Sequence, residues 1–324
     1  MFTRCNRERF KRPSLFIAMV LVAQLGAFQS KAANQCAQSF RASERSLYSY
    51  IRGHAYDYWS WVKSLSTEKI PRNLLAEGVI VGDSHLRNWA DAWLNGVRKL
   101  RLVDLDDNGR GPFLFDIVKF VAVTRSQRLG LKAYELFEMY HLGLREEKKD
   151  KPDFLEEALD QSKKSKKKDV EDFLKKMTDG DSIVFGEKTD LYPIEDGQPE
   201  IYEMYQKAKL SFKLALKDYT ILEKAVRLKK TGGTRRPRFW YLVEDNKGKK
   251  QLIEFKQVGD SALSAFAPQA DFISRMNEAM DTYWKGERDP NYLAIQVGQQ
   301  NYIMRPGYKG FIDFTDLKSE EKKQ

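Results

Sequence analysis

The chain has 324 residues, 42% of them hydrophobic, with 19 Phe, 15 Tyr and 6 Trp. That is enough apolar mass for one large domain or two lobes, and too much for a disordered chain. The net charge of +10 suggests a polyanion partner only at first sight: residues 1–32 hold six basic side chains and one acidic one, and the remainder carries +5.

Arg4, Arg7, Arg9, Lys11 and Arg12 precede an apolar run from Leu15 to Phe28, and Ser30-Lys31-Ala32 supplies small residues at the positions a signal peptidase reads. Residues 1–32 are therefore expected to be a cleaved signal peptide, and the mature protein to be secreted or periplasmic. No later segment is apolar enough to span a bilayer, so no membrane partner is expected after cleavage. Cys5 leaves with the signal and Cys36 stands alone, which excludes an internal disulfide. The basic clusters KKSKKKD and KKTGGTRRPR read as solvated faces; no nucleic-acid motif accompanies them, and nucleic acid is not an expected partner.

From Gln38 to Ser66 aromatic and leucine residues recur at helical spacing, with a break predicted near Arg52-Gly53. GVIVGD and KLRLVDLDD read as neighbouring strands joined through the Asn-Gly turn of WLNGVRK, which gathers their aspartates at strand ends. FDIVKFVAVTRSQ and AYELFEMYHLGL carry helical periodicity, and the charged span from Glu146 to Lys176 continues as exposed helix. DGDSIVFGEKTDLYPIEDGQP is rich in turn formers and leads into a helix predicted over 200–228, whose Tyr205, Phe212 and Tyr219 read as core. RFWYLVED and QLIEFKQV form a predicted hairpin, a helix follows over 264–284, and YLAIQVGQQNYIMRP reads as another strand pair. No internal repeat is present.

Chemistry concentrates between Val81 and Asp116. Asp83 and Asn88 have the D-x-x-x-x-N spacing of a kinase catalytic loop, in which the aspartate orients an acceptor hydroxyl and the asparagine holds Mg²⁺. The strand end VDLDD adds Asp104, Asp106 and Asp107, the hard oxygen ligands that magnesium prefers.

GDSHLRN followed by VDLDDNGRGPFLFD resembles the pattern of aminoglycoside phosphotransferases and choline-kinase-like enzymes, members of the protein-kinase-like superfamily. The chain resembles more closely the bacterial family named domain of unknown function 2252. YIRG, GDSHLRN, VDLDD, GP and FDIVK occur in that family's order, followed by TGGTRRPRFWYLVE, LIEFKQV, SRMNEAMD, YLAIQVGQQ and YIMRP. The resemblance spans Tyr48 to about Asp313. Where the family has Asn-Asp-Phe-Asp, this chain has Asp106-Asp107-Asn108-Gly109 and lacks the last acidic group.

The resemblance implies an α+β, two-lobed protein-kinase-like fold in circularly permuted order. Residues 33–230 would form the helical lobe with the catalytic and metal-binding loops, 231–314 the β-rich nucleotide-binding lobe, and 315–324 a charged tail. It implies Asp83 as catalytic base, with Asn88, Asp104, Asp106 and Asp107 as metal ligands. Lys256 would contact nucleotide phosphates and pair with Glu278 on the following helix, beneath a turn at Gly232 and Gly233. Arg52 would bind phosphate or bridge to an acidic neighbour; His85 and Asp116 would support the catalytic loop. The implied cofactors are Mg²⁺ and ATP or another nucleotide, and the implied reaction is phosphate transfer to an unidentified hydroxyl acceptor. A kinase-fold binding protein without chemistry and a metal-dependent phosphohydrolase are the rival readings. TGGTRRPRFW, short and basic with Pro237 removing a backbone donor, favours the first of them.

Overall fold

A computed structural model describes residues 51–65, 70–94, 97–126, 132–144, 166–196, 198–227, 236–285 and 287–307. The expected signal peptide, Cys36, the charged tail and much of the lysine-rich span fall outside the described residues. Helices and antiparallel sheets are mixed along the chain, which makes the architecture α+β. Among the described residues no helix is long and apolar enough to cross a membrane.

The predicted break falls at His54, a turn between helical residues 51–53 and helix α1 (Ala55–Ser64). Strand β1 (Glu77–Ile80) is followed by β2 (Trp89–Leu94) and β3 (Val97–Leu102), then β4 (Gly109–Pro112). Strand β2 pairs with β3 across the two positions of the expected Asn95-Gly96 turn, which lie outside the described residues, and β1 pairs antiparallel with β4 instead of with β3 as expected. The reason is local: a two-residue loop pairs the strands that directly flank it, and Trp89–Leu94 lies between GVIVGD and that loop. Gly78 and Gly111 face each other in the β1–β4 ladder, where the Phe113 ring and Ile80 leave no room for a side chain.

Helices α2 (Phe113–Ser126) and α3 (Ala133–Leu144) lie where their periodicity puts them, and α4 (Lys166–Met177) is the described end of the charged span. The turn-rich stretch holds the short hairpin of β5 (Thr178–Asp179) and β6 (Ser182–Ile183). Helix α5 (Pro199–Ala215) stops well short of 228, because the chain turns at 216–219 and Thr220–Arg227 becomes strand β7. The β-branched Thr220, Ile221 and Val226 suit a strand once a partner is present, and a partner is invisible to helical periodicity.

The predicted hairpin forms as β8 (Arg238–Glu244) and β9 (Lys250–Val258), and Gly248 at the turn takes φ 76°. Helix α6 (Phe272–Trp284) begins later than expected. A short 3-10 turn occupies Ala262–Ala265, and α6 starts after Pro268, where the Asp271 side chain accepts from Ser274 N at 3.0 Å. Strands β10 (Leu293–Val297) and β11 (Gln300–Pro306) complete a five-stranded antiparallel sheet of order β10-β11-β9-β8-β7. This sheet begins with β7, ahead of the boundary expected at residue 231.

Alternation along the central strands divides the sheet into two faces. Phe239, Tyr241, Val243, Ile253, Phe255, Tyr302 and Met304 meet Ile201, Tyr205, Ala208 and Phe212 of α5. Phe212 stacks on Phe255 at 4.2 Å between centroids and stands edge-on to Tyr302 at 5.0 Å; burying such a ring contributes about 1.5–3 kcal/mol. On the opposite face Trp240, Leu242 and Leu252 pack with Met177, Ile183 and Leu191. The rest of that second face carries Arg238, Glu254, Lys256, Ile303 and Arg305. Ile303 joins Leu105 in the core of α6, and Ile80, Phe115 and Leu263 join Trp59 of α1, which ties the acidic stretch to both helices.

Candidate functional site

The loop after β1 is held by groups from three other elements. Gly82 adopts φ 78°, and a Cβ there would lie 2.0 Å from the Asp107 carbonyl oxygen, so both conformation and space require glycine. Its own carbonyl accepts from Trp59 Nε1 at 2.7 Å. Asp116, in the first turn of α2, accepts from Gly82 N at 3.0 Å and Val81 N at 3.2 Å. Burial raises the pKa of Asp116, against opposing hydrogen bonds from Ser84, Val81 and Gly82 and the charge of Lys119. Asp116 thus braces the loop backbone from the helix.

Within that loop, Asp83 Oδ1 accepts from Lys119 Nζ, and Asp83 Oδ2 lies 3.6 Å from His85 Nε2. His85 is buried, and burial lowers its pKa to about 4, so the imidazole is neutral at pH 7. Arg52 opposes protonation of the same ring through its charge, which places it beside the loop. Asn88 closes a 3-10 turn: its Oδ1 accepts from His85 N at 2.5 Å, and its Nδ2 donates to the Asp104 carbonyl at 3.4 Å. Its amide oxygen therefore faces its own loop, and its nitrogen ties that loop to the acidic strand end.

Lys256 reaches the same strand end from β9. Its Nζ donates to Asp104 Oδ1 at 3.1 Å and also pairs with Asp106 Oδ2. Arg305 on β11 lies 3.5 Å from Asp104 Oδ1. Behind this pair, the buried Glu254 accepts from Arg305 Nε at 2.7 Å and from Arg238 at 2.9 Å. Burial works against the charge of Arg305, but Glu254 and Asp104 outweigh it and raise the pKa. Asp107 turns the other way: its Oδ1 accepts from Ala262 N at 2.8 Å, and its carbonyl from Ser261 Oγ at 2.8 Å. Burial, with the Asp83 and Asp106 carboxylates, pushes Asp107 up to about 6.

The pair expected between Lys256 and Glu278 does not form. Glu278 accepts from Arg110 on β4, and Lys256 is engaged by Asp104 and Asp106. The cause lies in the face that α6 presents. Arg275, one turn before Glu278, is buried and points at the acidic loop, donating to the carbonyls of Asp106 at 2.7 Å and Asn108 at 3.1 Å. Gly232 and Gly233 lie outside the described residues.

Arg275, Arg305 and Lys119 are the site residues that sequence reasoning did not single out. Each carried a faint signal. Lys119 interrupts the apolar run IVKFVAV, Arg275 falls in phase with Phe272, Met276 and Ala279, and Arg305 shares a strand face with Ile303. A cation on an apolar face implies a buried acceptor, which the sequence alone does not locate.

Among the described residues no group of three or more His, Cys, Asp or Glu side chains is arranged to hold a metal ion. Asp104 and Asp106 offer the hard oxygens that Mg²⁺ takes, and the ammonium they share shows that they converge on one cation position. No protein-family model, curated protein or solved structure matches the chain.

Proposed function

We propose that the chain is an exported, circularly permuted member of the protein-kinase-like superfamily, related to the domain of unknown function 2252 family. In this reading it transfers phosphate from a nucleotide to a hydroxyl acceptor with Mg²⁺. The carrying observation is that Lys256 meets Asp104 at 3.1 Å although 152 residues separate them. A permuted kinase order requires that meeting, and little else in the sequence does. Asp116 bracing the loop of Asp83 is a second feature that agrees with the reading.

In the reaction, Asp83 orients the acceptor hydroxyl and takes its proton as the acceptor oxygen bonds to the γ-phosphorus. The bond from that phosphorus to the bridging oxygen breaks, and the nucleoside diphosphate leaves. Asp104 and Asp106 would hold Mg²⁺, which neutralises charge on the phosphates. Lys256, released from the two carboxylates, would turn to the phosphate oxygens, and Arg305 would keep Asp104 in place. The neutral His85 fills the space behind Asp83 without adding charge.

Calorimetry of residues 33–324 with ATP and Mg²⁺, beside an Asp104→Ala variant, tests this reading. Metal-dependent binding that the variant loses is the expected result, and no metal-dependent binding by the wild type overturns it. Nucleotide turnover that never passes phosphate to an added alcohol or protein favours the phosphohydrolase. The absent Lys256–Glu278 pair favours a third reading, a binding protein that retains the fold without chemistry; nucleotide binding with no turnover is its signature.

A further inference from the structure

Helix α2 grips the loop of Asp83 twice. Asp116 holds the backbone amides of Val81 and Gly82, and Lys119, one turn later on the same face, holds the Asp83 side chain. Lys119 is the one lysine that is buried among the described residues, on a face it shares with Phe115 and Val118. Its Nζ also lies 5.9 Å from the centre of the Tyr58 ring, whose hydroxyl donates to the Phe115 carbonyl at 2.5 Å. The ammonium is therefore fixed from several sides.

A buried ion pair is a poor device for stability alone. Desolvating an ammonium costs several kcal/mol, and apolar side chains of similar volume often serve the fold as well or better. The two partners are also unequal: Lys119 is fully buried, whereas the Asp83 side chain keeps 18% of its surface exposed. Lys119 takes Oδ1 of Asp83, and Oδ2 lies 3.6 Å from His85 Nε2, beyond hydrogen-bonding distance. One carboxylate oxygen is clamped and the other is left to act.

We propose that Lys119 is a positioning residue that locks the Asp83 carboxylate by its Oδ1, so that Oδ2 is presented to the acceptor hydroxyl. The assignment rests on the phosphotransferase reading and deepens it: the charge that aligns the base comes from the helix after the catalytic loop. Lys119 touches neither donor nor acceptor. Its loss should slow transfer and leave nucleotide binding in place.

The test uses the mature chain with ATP and Mg²⁺, with water as the acceptor and released inorganic phosphate as the readout. Lys119→Met, Lys119→Gln, Lys119→Arg, Asp83→Asn and the Asp83→Asn/Lys119→Met double variant are compared, with folding verified by thermal unfolding. Lys119→Met and Lys119→Gln are expected to lower kcat about 100-fold, the range of a misaligned general base, with the nucleotide Kd within about threefold of wild type. Lys119→Arg should recover part of the rate, and the double variant should be no slower than Asp83→Asn alone. Whichever of the Met and Gln variants folds, retention of kcat within about threefold overturns the assignment alone. A wild type that shows neither Mg²⁺-dependent ATP binding nor phosphate release overturns both the assignment and the proposed function.

Discussion

Lys256 Nζ donates to Asp104 Oδ1 at 3.1 Å, joining the third strand of a five-stranded sheet to an acidic strand end 152 residues earlier. Asp106 shares the same ammonium. Lys256→Met removes the ammonium that Asp104 and Asp106 share, and losing such a partner costs half-buried charged groups about 1–3 kcal/mol. Urea denaturation should show that loss, and calorimetry with ATP and Mg²⁺ should show binding weakened about tenfold or more, as expected for a lost charge-assisted contact to phosphate.

Glu254 is the buried anion behind the site, held between Arg238 and Arg305. Glu254→Ala takes the nearest carboxylate from the buried Arg305 and the partly buried Arg238, and breaking a buried pair from one side costs about 3–5 kcal/mol. Chemical denaturation measures it. Glu254→Gln retains one acceptor and should lose less.

Gly82 has no tolerated substitute. At φ 78°, with the Asp107 carbonyl oxygen 2.0 Å from any Cβ, Gly82→Ala must displace either the loop or the acidic turn. A loss of about 1–3 kcal/mol is expected from backbone strain alone. Asp83 should leave its partner with it, which a crystal structure of the variant would show directly.

His85 predicts an acid limb. Burial holds its folded pKa at about 4, below the unfolded value of 6.5, so between these values the unfolded state binds more protons and stability falls as pH falls. The fall amounts to about 3 kcal/mol from pH 7 to pH 4. Asp107, raised to about 6, works in the opposite sense over much of the same window. The wild type is therefore compared with His85→Gln, which keeps Asp107 and removes the imidazole. Urea midpoints at the two pH values should fall further in the wild type; equal falls would exclude His85 as the cause.

What could be read from the sequence follows the range of the interactions concerned. The hairpins β8–β9 and β10–β11, and helices α2 and α3, depend on periodicity and turn residues within a dozen positions, and they lie where that pattern puts them. The pairing of β1 with β4 and the strand at Thr220–Arg227 depend on partners supplied from elsewhere, and neither was legible. The site divides in the same way. Asp83, Asp104 and Asp116 stand out because carboxylates cluster in one short stretch. Lys119, Arg275 and Arg305 are meaningful only once the acceptor opposite each is known. Glu278 shows the converse error: the expected helix presents a different residue to the site, because its rotation is set by packing of Phe272, Met276 and Met280 with Leu105, Val258 and Ile303 and not by the motif.

The two faces of β9 leave the strand a single workable alignment. Phe255 enters the aromatic stack, while its neighbours Glu254 and Lys256 meet charged partners on the other side. A slip of one residue would drive both charges into the aromatic layer and turn the phenylalanine toward the aspartates. The charged cluster therefore fixes the alignment of β9: a strand paired one residue out of step would part Glu254 and Lys256 from Arg238 and Asp104.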